Sequence, residues 1–212
     1  MRFDFSIRAR LILGAALMLV AFMTFAGVAL QRAHADSVQA AHFARLQGTI
    51  YLLLAGAEVD ASGALVMPSG LAEPRLSLPG SGLYASILNV NRRETWQSAS
   101  SVGANPPFQR DVPVGQWRYD VMDGAGGAFL AVGYGVKWAG PSVQATLVLS
   151  ALEGKAAFDR EVKAFRRTLW GWLIGSGVLL LLSQTLLLQW GLAPLQRVAQ
   201  EVSRIEHGEQ TE

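Results

Sequence analysis

The sequence of 212 residues contains no cysteine. Disulfide frameworks, iron–sulfur clusters, thiolate zinc sites and thiol nucleophiles are therefore excluded for this chain. The sequence also lacks a strong excess of either charge, because 18 basic residues stand against 16 acidic residues. A net charge of +2 gives no reason to expect a nucleic-acid partner, and we expect none. Any folded domain must be held together by packing and hydrogen bonds.

Charged residues are absent from two long apolar runs, 11–30 and 169–192. About twenty residues in a helix rise roughly 30 Å, which matches the hydrocarbon core of a bilayer. Each run therefore predicts a transmembrane helix. Arg2, Arg8 and Arg10 place the N-terminus in the cytoplasm by the positive-inside rule. The first run is longer than the apolar core of a secretory signal peptide, which favours a retained helix over a cleaved signal.

The two runs divide the chain into five predicted parts. These are a cytoplasmic N-terminus (1–10), a first transmembrane helix (11–31), a periplasmic domain (32–168), a second transmembrane helix (169–192) and a cytoplasmic segment (193–212). The middle part is long enough for one compact domain with its own core. We therefore expect a two-pass protein of the bacterial inner, cytoplasmic membrane.

The exported segment predicts an α+β fold. Apolar residues repeat at helical spacing between positions 34 and 57, which predicts a long helix leaving the first membrane run. Residues then alternate with a period of two, which predicts strands near 83–88, 94–98, 116–122, 130–138 and 143–149. The Gly124–Gly127 stretch lies between two strands and predicts a hairpin turn rather than a phosphate-binding loop. Four or five antiparallel strands after one helix favour a half-covered sheet with helices on one face.

A second helix is predicted to begin at Ser150, because Glu153 stands at the capping-box spacing. Four apolar residues then follow at spacings of four, three and four: Phe158, Val162, Phe165 and Leu169. This stripe either packs on the domain core or forms a rigid rod that enters the second membrane run. The unbroken pattern favours the rod.

A short amphipathic pattern follows the second run. Pro194 suits the first helical turn after a break. A narrow apolar seam comes next, at spacings of three, four and three: Leu195, Val198, Val202 and Ile205. Such a seam needs partner helices, and the simplest source is a second copy of the chain. Gly208 is expected to end this helix.

The order Pro-Leu, apolar seam, Ile-Glu-x-Gly resembles the first helix of a HAMP domain, the dimeric four-helix relay of bacterial receptors. The residues that carry this resemblance, and the expected signal relay, are Pro194, Leu195, Val198, Val202, Ile205, Glu206 and Gly208. The second HAMP helix does not fit before Glu212. We therefore expect either a fragment or a truncated chain.

Four motifs of the exported segment are also informative: Arg45-Leu46-Gln47 with Tyr51-Leu52-Leu53, Glu73-Pro74-Arg75-Leu76, Pro79-Gly80-Ser81-Gly82-Leu83-Tyr84-Ala85, and Trp96-Gln97-Ser98. With them, the segment resembles the PhoQ-type sensor histidine kinases. The resemblance implies a PAS-like (PDC) periplasmic fold and a homodimer. It also implies a cytoplasmic kinase that uses ATP and Mg²⁺ to phosphorylate its own histidine, and a response regulator that receives the phosphoryl group.

The sequence itself predicts no catalytic residue, metal ligand or cofactor in this segment, and His207 at a helix end is not expected to act chemically. The best-known members of the resembled family bridge an acidic cluster to lipid phosphates through divalent cations. This sequence departs from that pattern, because no stretch of the exported segment has three neighbouring carboxylates. Direct contact with anionic lipid headgroups is expected instead from five basic residues: Lys155, Arg160, Lys163, Arg166 and Arg167.

Several polar residues lie within the second apolar run, among them Ser176, Ser183, Gln184 and Gln189. The serines are expected to pack between helices, because a serine hydroxyl can bond back to the helix backbone. Gln184 is more costly near the middle of a bilayer. We expect it to face the interior of a dimeric helix bundle, where it would tune two signalling states.

Together these patterns predict the sensor and transmembrane module of a two-component histidine kinase. Chemoreceptors and membrane-bound cyclases share the same topology, so they stay open as alternatives. A non-catalytic, membrane-anchored periplasmic binding protein is a further alternative, although a mere anchor needs no seam after Pro194. The sequence does not identify the stimulus.

Overall fold

A computed structural model describes residues 7–68, 70–139 and 144–208. The chain forms two compact units, one made of His34–Lys163 and the other of Met1–Ala33 with Ala164–Glu212. We call the first unit the sheet domain and the second the helix pair. Helix α1 (Ile7–Gly56) and helix α2 (Lys155–Gly208) each contribute residues to both units.

The sheet domain contains a five-stranded antiparallel sheet in the order β4-β3-β7-β6-β5. Its strands are β3 (Leu83–Asn89), β4 (Glu94–Gln97), β5 (Trp117–Gly124), β6 (Gly127–Ala139) and β7 (Gln144–Gly154). A separate two-residue ladder, β1 (Glu58–Val59) with β2 (Leu65–Val66), was not predicted. The predicted hairpin is confirmed, because Gly124 pairs with Gly127 across a two-residue turn. The α+β class and the number of strands are therefore as the sequence indicates.

One face of the sheet packs against α1. Leu46, Ile50 and Leu53 occupy successive turns of the helix and are fully buried. They meet inward-facing residues of the central strands, such as Ile87 and Leu149. The helical repeat thus identifies the buried face of α1, and the strand alternation identifies the face of the sheet that packs against it.

The opposite face of the sheet is covered by the irregular segment 98–116, so the predicted half-covered sheet is wrong on this point. Phe108 packs against an apolar group on this face that includes Phe129 and Leu152. Two glycines of β6 allow the segment to approach closely. A Cβ atom on Gly133 would collide with the Gln109 side chain, and one on Gly135 would collide with the carbonyl oxygen of Pro113.

The predicted capping box at Ser150 is also wrong. Ser150 lies within β7, where it pairs with Ser86 of β3 and Gly133 of β6. Because the sheet ladder on both sides already uses the backbone groups of β7, no free helix-start amides exist there for a cap to satisfy. Strand β7 continues to Gly154, and α2 begins at Lys155.

Strand β5 forms one outer edge of the sheet. Trp117, Tyr119 and Val121 share one face of the strand, as predicted, and Tyr119 and Val121 are partly exposed. The Asp120 carboxylate accepts a hydrogen bond of 2.8 Å from the backbone N–H of Val121. This contact occupies one of the backbone donors along the strand.

The helix pair consists of the first part of α1 and most of α2. By length and composition alone, both helices are apolar enough to cross a membrane, with mean hydropathies of 2.3 and 1.5 in their most apolar windows. The helices approach closely at two glycines. A Cβ atom on Gly27 would lie 2.8 Å from Leu173, and one on Gly177 would lie 3.0 Å from the sulfur of Met23.

Helix α2 runs through Pro194, so the predicted break before this residue is absent. Proline removes one amide donor from a helix and crowds the carbonyl group four residues earlier, but good helix formers follow it here at Leu195, Gln196 and Arg197. The end of the described helix at Gly208 coincides with the last described residue. Its predicted role as a helix stop therefore stays a prediction.

Candidate functional site

The sheet domain brings together three charged or polar side chains, His42, Arg75 and Glu153, which we call the ionic cluster. Glu153 Oε2 lies 2.9 Å from His42 Nδ1, and Glu153 Oε1 accepts a hydrogen bond of 3.0 Å from Arg75 Nη2. His42 and Glu153 are both more than nine-tenths buried, whereas the Arg75 side chain is 39% exposed. The glutamate is thus held from two sides in the domain interior.

Each member of the ionic cluster comes from a different element. His42 lies on the buried side of α1, one turn before Leu46. Arg75 belongs to a short 3-10 helix, Pro74–Ser77, whose start is capped by the Glu73 carboxylate accepting from the Arg75 backbone N–H at 3.2 Å. Glu153 is the second-last residue of β7, two residues before α2 begins. The cluster therefore joins α1, the 3-10 helix and the β7–α2 junction.

The electrostatics of the ionic cluster favour an ionised glutamate. Burial is the largest influence on this carboxyl group, and it raises the pKa of Glu153. Hydrogen bonds from His42 and Arg75, together with Coulomb attraction to both, act in the opposite direction and hold the pKa of Glu153 below its ordinary value. Since an ionised carboxylate only accepts hydrogen bonds, His42 Nδ1 must be the protonated donor in its bond.

The first turns of α2 also contact His42. Its ring meets the Phe158 ring edge to face, with centroids 6.0 Å apart, and Nε2 lies 3.8 Å from the Glu161 carboxylate. Phe158 is buried in the domain core, and Val162 packs against that core. The beginning of the predicted apolar stripe therefore has a packing role in the sheet domain.

Aromatic rings fix α1 at the β5 edge as well. Phe43 contacts Tyr119 edge to face, and Tyr51 contacts Trp117 in the same way, both with centroids 5.4 Å apart. Trp117 in turn stacks on Tyr134 of β6 at 4.3 Å. Through these rings and the ionic cluster, α1 is attached to both the sheet edge and the start of α2.

The ionic cluster links three elements of the sheet domain through one carboxylate. This carboxylate is already engaged by two donors. Among the described residues, no group of three or more His, Asp or Glu side chains is arranged to hold a metal ion. What the arrangement can do is make the position of α2 depend on the position of α1.

The five basic residues predicted to contact lipid are divided between the two units. Lys155 lies 3.9 Å from Asp159 and 6.0 Å from the centroid of the Phe158 ring. Arg160 and Lys163 are exposed on the sheet domain, whereas Arg166 and Arg167 are exposed on the helix pair. Their role in lipid binding stays a prediction.

Ser176, Ser183 and Gln184 of the second apolar run have different surroundings. The Ser176 hydroxyl donates to the Trp172 carbonyl oxygen at 2.8 Å. Ser183 and the half-buried Gln184 line a groove of about 850 Å³ between the helices of the pair. The groove is otherwise apolar, lined by Ala15, Met18, Leu19, Phe22, Leu180 and Leu187. Whether Gln184 faces a second copy of the chain stays a prediction.

The residues of the predicted HAMP relay, 194 to 208, lie on the described backbone of α2. Their side chains lie outside the described part of the structure. The seam and its need for a partner therefore stay predictions.

The ionic cluster itself was not predicted from the sequence. Glu153 was assigned to a helix cap, and Arg75 was noted only within a motif. His42 carried a usable signal, because it stands four residues before Leu46 and four after Val38 on the same apolar stripe. A histidine in a buried stripe needs a polar partner.

Comparison with known proteins agrees with the resemblance seen in the motifs. The chain is 29% identical over 208 residues to the protein named two-component sensor PhoQ from Pseudomonas aeruginosa. The aligned region covers 96% of this chain but 45% of the relative, so the chain spans less than half of that protein's length. No protein-family profile matches the chain, and no solved structure matches it. The chain is thus similar to a PhoQ-type two-component sensor over almost its whole length.

Proposed function

We propose that this chain is the sensing and transmembrane module of a dimeric two-component histidine kinase. In this proposal the sheet domain is a PAS-like (PDC) sensor on the periplasmic side of the bacterial inner membrane. The apolar parts of α1 and α2 cross that membrane as a two-pass anchor. The kinase lies outside these 212 residues, uses ATP and Mg²⁺, and transfers a phosphoryl group to a response regulator.

The observation that carries the proposal is the position of the ionic cluster. His42 lies on α1, and Glu153 lies two residues before α2, so a hydrogen bond of 2.9 Å ties together the two helices that carry the apolar segments. A stimulus that moves the 3-10 helix bearing Arg75 would weaken or strengthen the Arg75–Glu153 hydrogen bond relative to the His42–Glu153 hydrogen bond. The carboxylate would then favour a different placement of α2 relative to α1 within the domain.

The signal would leave the sheet domain through α2. An unbroken helix transmits a displacement or rotation, because its backbone hydrogen bonds resist bending. The seam after Pro194 would pair with a second copy of the chain as the first HAMP helix. A shift between two arrangements of these helices would then set the kinase activity.

Cysteine accessibility tests the membrane topology directly, because the chain has no cysteine of its own. Val102 is exposed on the sheet domain, so Val102→Cys places a thiol at its surface. In intact cells of a Gram-negative host it should react with a maleimide that passes the outer but not the inner membrane. Thr211→Cys should react only after lysis. Labelling of both positions in intact cells, or of neither, would contradict the two-pass arrangement.

Autophosphorylation tests the coupling role of the ionic cluster. The protein that carries this chain with its output region is placed in membrane vesicles with ATP and Mg²⁺. Glu153→Gln and His42→Leu should each change the phosphorylation rate several-fold in the same direction. The double variant should change it no further, because both substitutions break one interaction.

A surface variant, Glu58→Gln, serves as the control and should phosphorylate as the wild type does, because Glu58 is exposed and outside the cluster. Wild-type rates in both cluster variants would contradict the coupling role. An output without any phosphohistidine would contradict the kinase assignment and favour a chemoreceptor, a cyclase or an anchored binding protein.

A further inference from the structure

Three arginines stand at one end of the helix pair: Arg32 on α1 and Arg166 and Arg167 on α2. Their common level follows from a hydrogen bond between the helices, in which Trp170 Nε1 donates to Gln31 Oε1 at 3.3 Å. Arg32 adjoins Gln31 in sequence, and Arg166 lies one helical turn before Trp170. The three cations are therefore gathered within about one turn of a single interhelical contact.

No acidic side chain compensates these arginines within the described part of the helix pair. All three are exposed, and none takes part in an ion pair among the described residues. The segments 10–33 and 164–187 contain no Asp or Glu. Asp36 and Glu161 are the next acidic residues along the two helices, and neither pairs with these arginines. Three unpaired cations at one site favour an anionic ligand.

The surroundings of the three arginines indicate the kind of anion. The uncharged stretch after Arg167 continues for more than twenty residues, enough to cross a hydrocarbon core of about 30 Å. Trp172 stands near the start of this stretch with 76% of its surface exposed, and Trp190 stands near the far end with 84% exposed. Exposed tryptophans at both ends of an apolar helix are typical of the two interfaces of a bilayer. The arginines would then lie at headgroup level.

We propose that Arg32, Arg166 and Arg167 bind the phosphate of an anionic phospholipid at the periplasmic surface of the membrane. The inference rests on the membrane placement proposed above. Guanidinium groups suit this task because they donate two parallel hydrogen bonds to phosphate oxygens. The site differs from the five-residue prediction by including Arg32 and by omitting three residues of the sheet domain, Lys155, Arg160 and Lys163. The Lys155 ammonium already lies beside Asp159.

Lipid titration tests this site. The full chain in a neutral detergent is titrated with short-chain phosphatidylglycerol or phosphatidylcholine, and native mass spectrometry counts the bound lipids. Phosphatidylglycerol should bind in preference to phosphatidylcholine. Each single substitution to Gln should weaken that binding about fivefold, and the triple variant on the order of a hundredfold, from the usual effect of one basic residue at an anionic surface.

A matched triple variant, Arg45→Gln/Arg93→Gln/Arg110→Gln, removes three exposed arginines of the sheet domain and should bind lipid as the wild type does. Inorganic phosphate should not compete with the lipid. The inference is wrong if the site variant keeps the lipid preference, if the control loses it equally, or if free phosphate displaces the lipid. Cysteine labelling of the same variants reports membrane insertion separately, so a failed topology is distinguishable from a failed lipid site.

Discussion

Many leucine side chains are buried in the sheet domain, whereas many are exposed in the helix pair. Leu46 of α1 has no exposed surface in the sheet domain, whereas Leu17 of the same helix is 63% exposed in the helix pair. One helix thus carries leucines fitted to two different environments. A protein interior surrounds Leu46, and an apolar surface of this size around Leu17 requires a hydrocarbon solvent or a partner. Burial, rather than composition, separates the two regions.

Polar groups show the same contrast. In the sheet domain, the ionic cluster satisfies polar side chains through partners far away in sequence, such as His42 and Glu153. In the helix pair, hydroxyl groups bond to their own helix. Thr24 donates to the Val20 carbonyl oxygen at 2.8 Å, and Thr185 donates to that of Leu181 at 2.7 Å. Local satisfaction of this kind suits a helix that has no water around it.

The largest effect is expected from truncating a leucine in each region. Leu46→Ala removes buried atoms and leaves a cavity, so the sheet domain should lose about 3 kcal/mol of unfolding free energy. Leu17→Ala should leave that free energy within about 0.5 kcal/mol of the wild type. Denaturant unfolding of the full chain in detergent, followed by tryptophan fluorescence, measures both. Equal losses in the two variants would remove the distinction between the regions.

A smaller effect is expected from neutralising the ionic cluster. Glu153→Gln leaves two donors without their counter-charge and should cost about 2 kcal/mol, with solvent around the exposed part of Arg75 limiting the loss. Combined with His42→Leu in a double-mutant cycle, it should show a coupling energy of about 1 kcal/mol. Additive losses in the same unfolding assay would mean that the two side chains do not interact.

Two glycine substitutions should act in opposite directions. Gly135→Ala drives a methyl group into the Pro113 carbonyl oxygen, and the sheet domain should lose about 1–3 kcal/mol. Gly48→Ala meets no atom within 4 Å and should stabilise α1 by about 0.5–1 kcal/mol. Thermal unfolding by circular dichroism gives the sign of each change. A harmless Gly135→Ala would show that segment 98–116 is not held tightly on β6.

The smallest effect is a pH dependence that belongs to the sheet domain alone. Because the pKa of Glu153 is lowered in the folded state, its contribution is present above the ordinary glutamate pKa and is lost as the pH falls through the folded value. The unfolding free energy of the wild type should therefore drop more than that of Glu153→Gln between about pH 6 and pH 3. Parallel curves for the two proteins would contradict a stabilising ionised Glu153.

Periodicity was sufficient to predict most elements of the sheet domain. The stripe through Leu46 and Ile50 indicated the packed face of α1, and alternation indicated the central strands. Glu153 shows why other features escaped prediction. Its spacing from Ser150 fits a helix cap, but pairing with β3 and β6 extends β7 through both residues. Such pairing joins residues far apart in sequence, so no local pattern reveals it.

The ionic cluster and the packing of segment 98–116 on the sheet could not be predicted for the same reason. Arg75 reaches Glu153 across 78 positions, and His42 reaches it across 111. A glycine usually weakens a strand, but Gly133 and Gly135 provide the room that segment 98–116 needs to pack on β6. The apolar faces of α1 and of the sheet could be predicted from the sequence. The pairing of His42 and Arg75 with Glu153 is seen only in the folded structure.

The Asp120 contact at the outer strand has a consequence for aggregation of the polypeptide. Strand β5 offers alternating aromatic and aliphatic side chains beside free backbone groups, the combination that recruits a foreign strand into an intermolecular sheet. By occupying the Val121 N–H and placing a charge beside it, Asp120 interrupts that template. Asp120 therefore makes this outer strand less able to pair with a strand of another chain.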